Sequence, residues 1–284
     1  MTADQHSGPA PAAISFMTAN YVARELGYGA ADQWGPFDEA TKAAFEPLET
    51  FPARFEELIT TVSDLGFDAI DLWFGHLDWR WATPEHVAIA RDVLGRSGVR
   101  LVSLAGGIGS TAADVDAACR LANDLDVDLI AGPGDILRDG RAEVAAVLEA
   151  HGVRFGLENH PEKAPDEVLA AIGSDSDRLG AAVDTGWWAT QGYDPVSAIH
   201  ELSDRLFHVH LKDVEEPGTH VTCMHGEGCA RISDCVDALL ALGYSGPVSI
   251  EHHSFTRDPG RECALALARI DEQISAATAS RDVR

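Results

Sequence analysis

Residues 141–160 read RAEVAAVLEAHGVRFGLENH. The stretch Arg141 to Ala150 reads as a helix, and Gly152 in the turn His151-Gly152-Val153 sits where a left-handed helix cap is expected. Arg154 to Leu157 then reads as a short buried strand, and the chain leaves it through Glu158-Asn159-His160. The unit helix, glycine turn, apolar strand, acidic end recurs to either side of it. Glycine turns of the same kind occur at Leu65-Gly66-Phe67, Ser97-Gly98-Val99 and Leu242-Gly243-Tyr244.

Working outward, the pattern predicts strands at Ile14–Met17, Ala69–Phe74, Arg100–Leu104, Asp128–Ala131, Arg154–Leu157, Gly180–Val183, Leu206–Leu211 and Pro247–Ile250. Helices are predicted at Phe51–Leu65, Pro84–Arg96, Ala112–Leu125, Arg141–Ala150, Pro165–Ile172, Pro195–Leu202, Ile232–Leu242 and from about Pro259 to Ala276. Several of these units repeat at roughly 25–30 residues, close to the shortest βα unit. Regular alternation of helices with short apolar strands argues for a parallel sheet with right-handed crossovers. No GxGxxG follows the first strand, as an open dinucleotide-binding sheet would have, and eight units close naturally into a barrel. The expected fold is α/β, a single-domain (β/α)₈ TIM barrel over residues 14–278, with a flexible N-terminal tail at 1–13 and a C-terminal tail at 279–284.

Three connections are long: Thr18–Thr50, Gly75–Thr83 and Asp213–Arg231. Each follows a strand, so each belongs to the C-terminal face, where barrel active sites are built. They hold Tyr21, Tyr28, Trp34, Phe37, Trp79 and Trp81. Such rings either pack beneath the loops or line a carbohydrate-sized pocket.

The chain has 284 residues and a net charge of −25, from 46 acidic and 21 basic residues. That excess opposes binding to nucleic acid or an anionic membrane, both of which rely on clustered Lys and Arg. No apolar run is long enough to span a bilayer, and the N-terminus lacks the basic and apolar regions of a signal peptide. Cys119, Cys223, Cys229, Cys235 and Cys263 are odd in number and show no zinc-ligand spacing, which fits free thiols in a reduced cytoplasmic protein.

Four consecutive strands end in acidic or imidazole residues: Glu158, Asp184, His210 and Glu251. Three carboxylates brought together at one mouth repel one another and resist ionising together. A divalent cation removes that conflict, and oxygen-rich ligation with one imidazole suits Mn²⁺ or Mg²⁺, with Co²⁺ and Zn²⁺ as alternatives. The competing arrangement is a hydrogen-bonded carboxylate cluster without metal. Residues two apart on a strand share a side, so His160 is expected above Glu158, Lys212 above His210 and His253 above Glu251, in reach of a substrate. His160 suits a base or a hydrogen-bond donor, and Lys212 an oxyanion partner. His208, below His210, is expected in the core or behind the ligands.

These motifs resemble the xylose-isomerase-like superfamily, usually labelled sugar phosphate isomerase/epimerase. The resemblance covers nearly the whole chain. It is carried by Gly66-Phe67-Asp68-Ala69-Ile70-Asp71-Leu72-Trp73, the four strand ends, His210-Leu211-Lys212-Asp213, Gly226-Glu227-Gly228, and Gly243-Tyr244-Ser245-Gly246 running on to Ile250-Glu251. It implies a barrel with one divalent metal, often Mn²⁺, on Glu158, Asp184, His210 and Glu251. It also implies that Glu158 and Glu251 are catalytic, one removing a proton beside a carbonyl and the other returning it through a metal-stabilised enediolate. Trp73, His160, Trp187, Lys212 and His253 are the expected substrate-binding residues.

The sequence departs from the ketose 3-epimerases of that superfamily. Trp187 stands where they place a substrate-binding histidine, and Asn159-His160 follows Glu158 where many have proline. A basic cluster or glycine-rich loop for phosphate is missing. The expected activity is a metal-dependent sugar isomerase or epimerase on an uncharged sugar. The alternative is a lyase or dehydratase that expels a β-substituent from a keto-sugar, inosose or 3-keto-glycoside. A related abasic-site endonuclease would need basic DNA-gripping loops, against the −25 charge. A catalytically silent binding barrel would not need the intact ligand set. The expected partner is a small sugar or sugar derivative, without nucleic acid or membrane; homo-oligomer formation is left open.

Overall fold

The strand β1 (Ala13–Met17) pairs with β2 (Ala69–Trp73), and the ladder continues through β3 (Arg100–Ala105), β4 (Leu129–Gly132), β5 (Arg154–Glu158), β6 (Leu179–Asp184), β7 (Leu206–Leu211) and β8 (Pro247–Ile250). β8 pairs back on β1, with Ile14 beside Val248 and Phe16 beside Ile250, so the parallel sheet closes as a barrel. The structure, a computed structural model, describes residues 11, 13–29 and 34–282. The expected N-terminal tail lies largely outside the described residues, and its last member, Ala13, begins β1.

Helices α1 (Trp34–Phe45), α2 (Phe51–Asp64), α3 (Pro84–Ser97), α4 (Ala112–Asp124), α5 (Leu137–His151), α6 (Pro165–Ile172), α7 (Thr185–Thr190), α8 (Pro195–Leu202), α9 (Ile232–Leu242) and α10 (Gly260–Asp282) accompany the strands. Strand β2 is buried at every position, as expected of a parallel strand covered on both faces. Local chemistry sets the helix ends. Thr83 and Thr111 each accept a backbone N–H from three residues on, closing capping boxes at α3 and α4. Gly98, Gly152 and Gly243 end α3, α5 and α9 at φ of 72°, 70° and 65°, as their turns led one to expect.

The structure adds elements to the expected pattern and corrects one boundary. The long connection 18–50 contains α1 and two short 3₁₀ turns, Thr18–Tyr21 and Arg24–Leu26. A further short helix, α7, follows β6 directly because the Asp184 carboxylate accepts the Trp187 N–H and caps it. The last helix continues past Ala276 to Asp282, so residues 279–282 of the expected C-terminal tail are helical, while 283–284 lie outside the described residues. No helix among the described residues is long and apolar enough to cross a membrane. The five cysteines are all free.

Barrel interiors are usually filled by branched apolar side chains. Here the interior beneath the mouth is polar: Ser15, Asp71, Ser103, His208 and Ser249 are all fully buried. Register explains how they meet. Asp71 lies beside Ser103 across β2–β3, and His210 lies beside Asp184 on one side and Ser249 on the other.

Candidate active site

The deepest layer is built on Asp71. His208 Nε2 and His210 Nε2 donate to its Oδ2 at 3.1 and 3.0 Å, the Ser249 hydroxyl donates to the same oxygen at 3.3 Å, and Ser103 Oγ donates to Oδ1 at 2.7 Å. Burial by itself would push this carboxyl up; the two histidines outweigh it and hold Asp71 below the usual carboxylate range. His208 is pushed down, chiefly by burial. His210 also suffers burial, but Glu158, the bonds to Asp71 and Glu158 and the close contact with Glu251 outweigh it and hold His210 well above its usual value. The bond to Asp71 ties up Nε2 and turns Nδ1 outward.

The next layer gathers around that nitrogen. His210 Nδ1 lies 2.7 Å from Glu158 Oε1 and 3.3 Å from Glu251 Oε2. One ligand atom from each of Glu158, His210 and Glu251 lies within 4.8 Å of the other two. Glu251 Oε2 is buried and accepts no hydrogen bond. Two carboxylates and an imidazole, with one buried carboxylate oxygen free of hydrogen bonds, are the ligand types a divalent cation takes. The residues present therefore fit a bound metal.

Asp184 joins from the side. Its Oδ2 accepts from His160 Nε2 at 3.1 Å and from Lys212 Nζ at 3.2 Å, and with Glu158 and His160 it forms a second group of ligand atoms within 4.8 Å. The Lys212 ammonium also donates to Glu251 Oε1 at 2.8 Å, so it bridges two of the four expected ligands. Gly186 makes room for the lysine stem, since a Cβ there would lie 2.6 Å from Lys212 Cγ. Burial would lower Lys212, yet Asp184 and Glu251 outweigh it and hold the ammonium above its usual range. Burial would likewise raise Glu251, and Lys212, with His210 and His253, holds it well below. His160 is raised in the same manner by Glu158 and Asp184 against its burial.

The structure thus places each of the expected residues at one mouth. Glu158, His210 and Glu251 converge directly, and Asp184 reaches them through His160 and Lys212. His160 Nδ1 lies 3.8 Å from Glu158, and His253 Nδ1 lies 3.3 Å from Glu251, as the two-residue alternation predicts. Lys212, expected beside His210, is found between Asp184 and Glu251. Trp73 and Trp187 line the cavity above. Asn159 takes another role: its side chain binds the Asp184 backbone, accepting from N at 2.7 Å and donating to O at 3.2 Å, which clips β5 to β6. Asp213 accepts four backbone N–H groups, from Val214, Gly226, Gly228 and Ala230, and so shapes the loop after β7.

Some residues of the candidate site escaped the sequence reading. Asp71 stood in a recognised motif with no role assigned, and only its acidity inside an apolar strand signals one. Phe255 and His220 line the cavity without any sequence signal. Of the loop aromatics, Trp34 lines the cavity. Tyr21 and Phe37 are buried, Trp81 packs on Phe51 and His86, and Trp79 donates to Gly107 O at 3.2 Å.

No curated protein sequence matches the chain significantly. Solved structures do. An L-ribulose 3-epimerase superposes with a TM-score of 0.69 at 18% identity, covering 96% of this chain and 97% of its own. The probable 3-DHS dehydratase AsbF from Bacillus anthracis gives 0.65 at 13% identity, covering 89% and 96%. D-Psicose 3-epimerase from Clostridium cellulolyticum H10 gives 0.62 at 20% identity, covering 76% and 92%. At these identities the likeness concerns the fold. The sequence itself matches a family model over residues 59–273, which includes β2 to β8 and all four acidic and imidazole strand ends. By that match and by its closed eight-stranded barrel, the chain belongs to the xylose isomerase-like TIM barrel family.

Proposed function

We propose that this protein is a divalent-metal-dependent enzyme that moves a proton on the carbon beside a sugar carbonyl, as an isomerase or epimerase. The observation that carries the reading is the pair Glu158 and Glu251. They come from separate strands, both reach His210 Nδ1, at 2.7 and 3.3 Å, and both line the cavity. Glu158, His210, Glu251 and Asp184 would hold the ion, with Mn²⁺ the best match to the ligand types. The ion, when bound, polarises the carbonyl and acidifies the neighbouring C–H. Glu251 and Glu158 serve as the two bases, one taking the proton and the other returning it on the opposite face. His160 and Lys212, both at the cavity lining, supply hydrogen bonds and positive charge to substrate oxygens. Epimerases of L-ribulose and D-psicose among the structural neighbours agree with this reading.

The second reading, a lyase that expels a β-substituent, is favoured by one observation. His160 lies at the cavity wall, 3.1 Å from Asp184 and facing Trp187 at a ring distance of 4.3 Å, and Glu158 and Asp184 raise it against its burial, which suits an acid for a leaving group. The dehydratase neighbour is consistent with it. Incubating the Mn²⁺-loaded protein with keto-sugars in D₂O separates the readings. Deuterium in recovered substrate and product marks an epimerase, and an unsaturated product or released group marks a lyase. Absence of all three across ketoses, inososes and keto-glycosides overturns both.

A further inference from the structure

The cavity over these residues is larger and less polar than one sugar ring requires. Its volume is about 580 Å³, in the range that encloses a drug-sized ligand. Its floor is acidic, but one side, formed by the end of β2 and the segments after β1 and β8, is a wall of Trp34, Trp73 and Phe255. The Trp34 and Trp73 rings meet edge to face with centroids 5.5 Å apart. Phe255 is backed by Phe37, stacked at 5.2 Å with an interplanar angle of 5°. His253 joins the wall to the floor: its ring is 5.3 Å from Trp34, and its Nδ1 is 3.3 Å from Glu251. Phe37, Trp73 and Phe255 sit in a hydrophobic cluster separate from the main barrel core. Trp34 packs against the edge of that cluster through Trp73 and Phe255 and keeps 39% of its surface exposed, so core packing does not account for it.

The charges around the cavity are already matched. Lys42 is held by Asp38 at 2.8 Å, Arg80 by Asp78 at 3.0 Å, and Lys212 by Glu251 at 2.8 Å. These are the lysines and arginine that line the cavity among the described residues. An incoming phosphate or carboxylate would have to displace a carboxylate from one of them, at a cost in desolvated charge.

From the aromatic wall and the paired cations, we infer that the substrate is a neutral sugar derivative carrying an aromatic substituent. The sugar lies on the Glu158–Glu251 floor and the substituent lies against Trp34, Trp73 and Phe255. The inference rests on the reading of the floor as a sugar-converting site. Ring faces and edges supply both apolar area and oriented aromatic contacts to such a group, and a sugar alone leaves that wall wet.

Phenyl and methyl β-D-glucopyranoside, with the galactopyranoside pair alongside, test this by calorimetry on the full-length protein with Mn²⁺ present. The phenyl glycoside is expected to bind at least about tenfold more tightly than its methyl partner, the equivalent of one well-made aromatic contact. In Trp34→Ala that preference falls to within about twofold while methyl glycoside affinity is kept. Phe255→Ala gives the same outcome from the neighbouring ring of the wall, with circular dichroism reporting the fold of each variant. Equal affinities, no binding of either glycoside up to the solubility limit, or a preference that survives both substitutions overturns the inference. These glycosides lack the reactive carbonyl, so their preference is read independently of deuterium exchange. A phenyl preference without exchange on any keto-sugar defeats the proposed reaction alone, and exchange without a phenyl preference defeats this inference alone.

Discussion

Asp71 Oδ2 accepts the His210 Nε2 proton at 3.0 Å, from a strand 139 residues away in sequence, and this bond leaves His210 Nδ1 facing Glu158 at 2.7 Å. A carboxylate behind a ligand imidazole fixes both its tautomer and its orientation. Replacing Asp71 by Asn swaps an acceptor for a group that also donates. Asp71→Asn is expected to lower Mn²⁺ affinity about 10- to 100-fold while keeping the barrel. Calorimetric metal titration with a far-ultraviolet spectrum checks it; unchanged affinity would mean that Asp71 only fills the barrel.

Metal binding should be visible as stability. A ligand that binds only the folded state at about 100 times its Kd contributes about 2.7 kcal/mol, or roughly 5 °C of Tm for a chain of this length. Mn²⁺ added to chelator-treated protein should give a rise of that size. In Glu251→Gln and His210→Ala the rise should largely vanish. A Tm indifferent to Mn²⁺, Mg²⁺, Co²⁺ and Zn²⁺ would leave the cluster as a metal-free hydrogen-bonded network.

Lys212 stands between two buried carboxylates, 3.2 Å from Asp184 and 2.8 Å from Glu251. Breaking a buried pair strands the remaining charges and typically costs about 3–5 kcal/mol. Lys212→Met, which keeps the stem and removes the charge, should lose about 3 kcal/mol in urea unfolding with chelator present. A loss below about 0.5 kcal/mol would place the ammonium in water instead.

His76 is buried, within 3.2 Å of Thr18 Oγ1 and edge-on to the rings of Phe45 and Trp73. Burial, with a smaller contribution from Arg24, pushes it down to about 3. The unfolded chain therefore binds a proton between the ordinary histidine value and about 3 that the folded chain refuses. Folded stability is full above the ordinary value and falls as pH drops through that window, by at most about 1.4 kcal/mol per pH unit for this one group. Between pH 7 and pH 5 the expected loss is up to about 2 kcal/mol. His76→Gln should shrink that difference by the same amount in paired urea titrations, and an unaltered pH dependence would reject the assignment.

Much of this site was legible beforehand because the signals were local. Helix and strand periodicity, glycine turns and the position of Glu158, Asp184, His210 and Glu251 at strand ends are all properties of short segments. Two-residue alternation put His160 near Glu158 and His253 near Glu251, and both pairs lie close although β5 ends at Glu158 and β8 at Ile250. The same logic failed where a loop folds on itself. It assigned no element within 18–50 and gave Trp79 and Trp81 the same standing as Trp34, although of the three only Trp34 lines the cavity.

By itself, then, the chain determines a closed run of eight βα units and an acidic, histidine-bearing mouth, because backbone propensity and side-chain alternation act over a few residues. Tertiary structure alone decides that Asp71 lies under His210, that Lys212 joins Asp184 to Glu251, and that Trp34, Trp73 and Phe255 share one wall. Those meetings depend on strand register and barrel closure, which bring together residues from opposite ends of the sequence. Long side chains such as Lys212 then turn toward the nearest unpaired charge rather than straight up from their own strand.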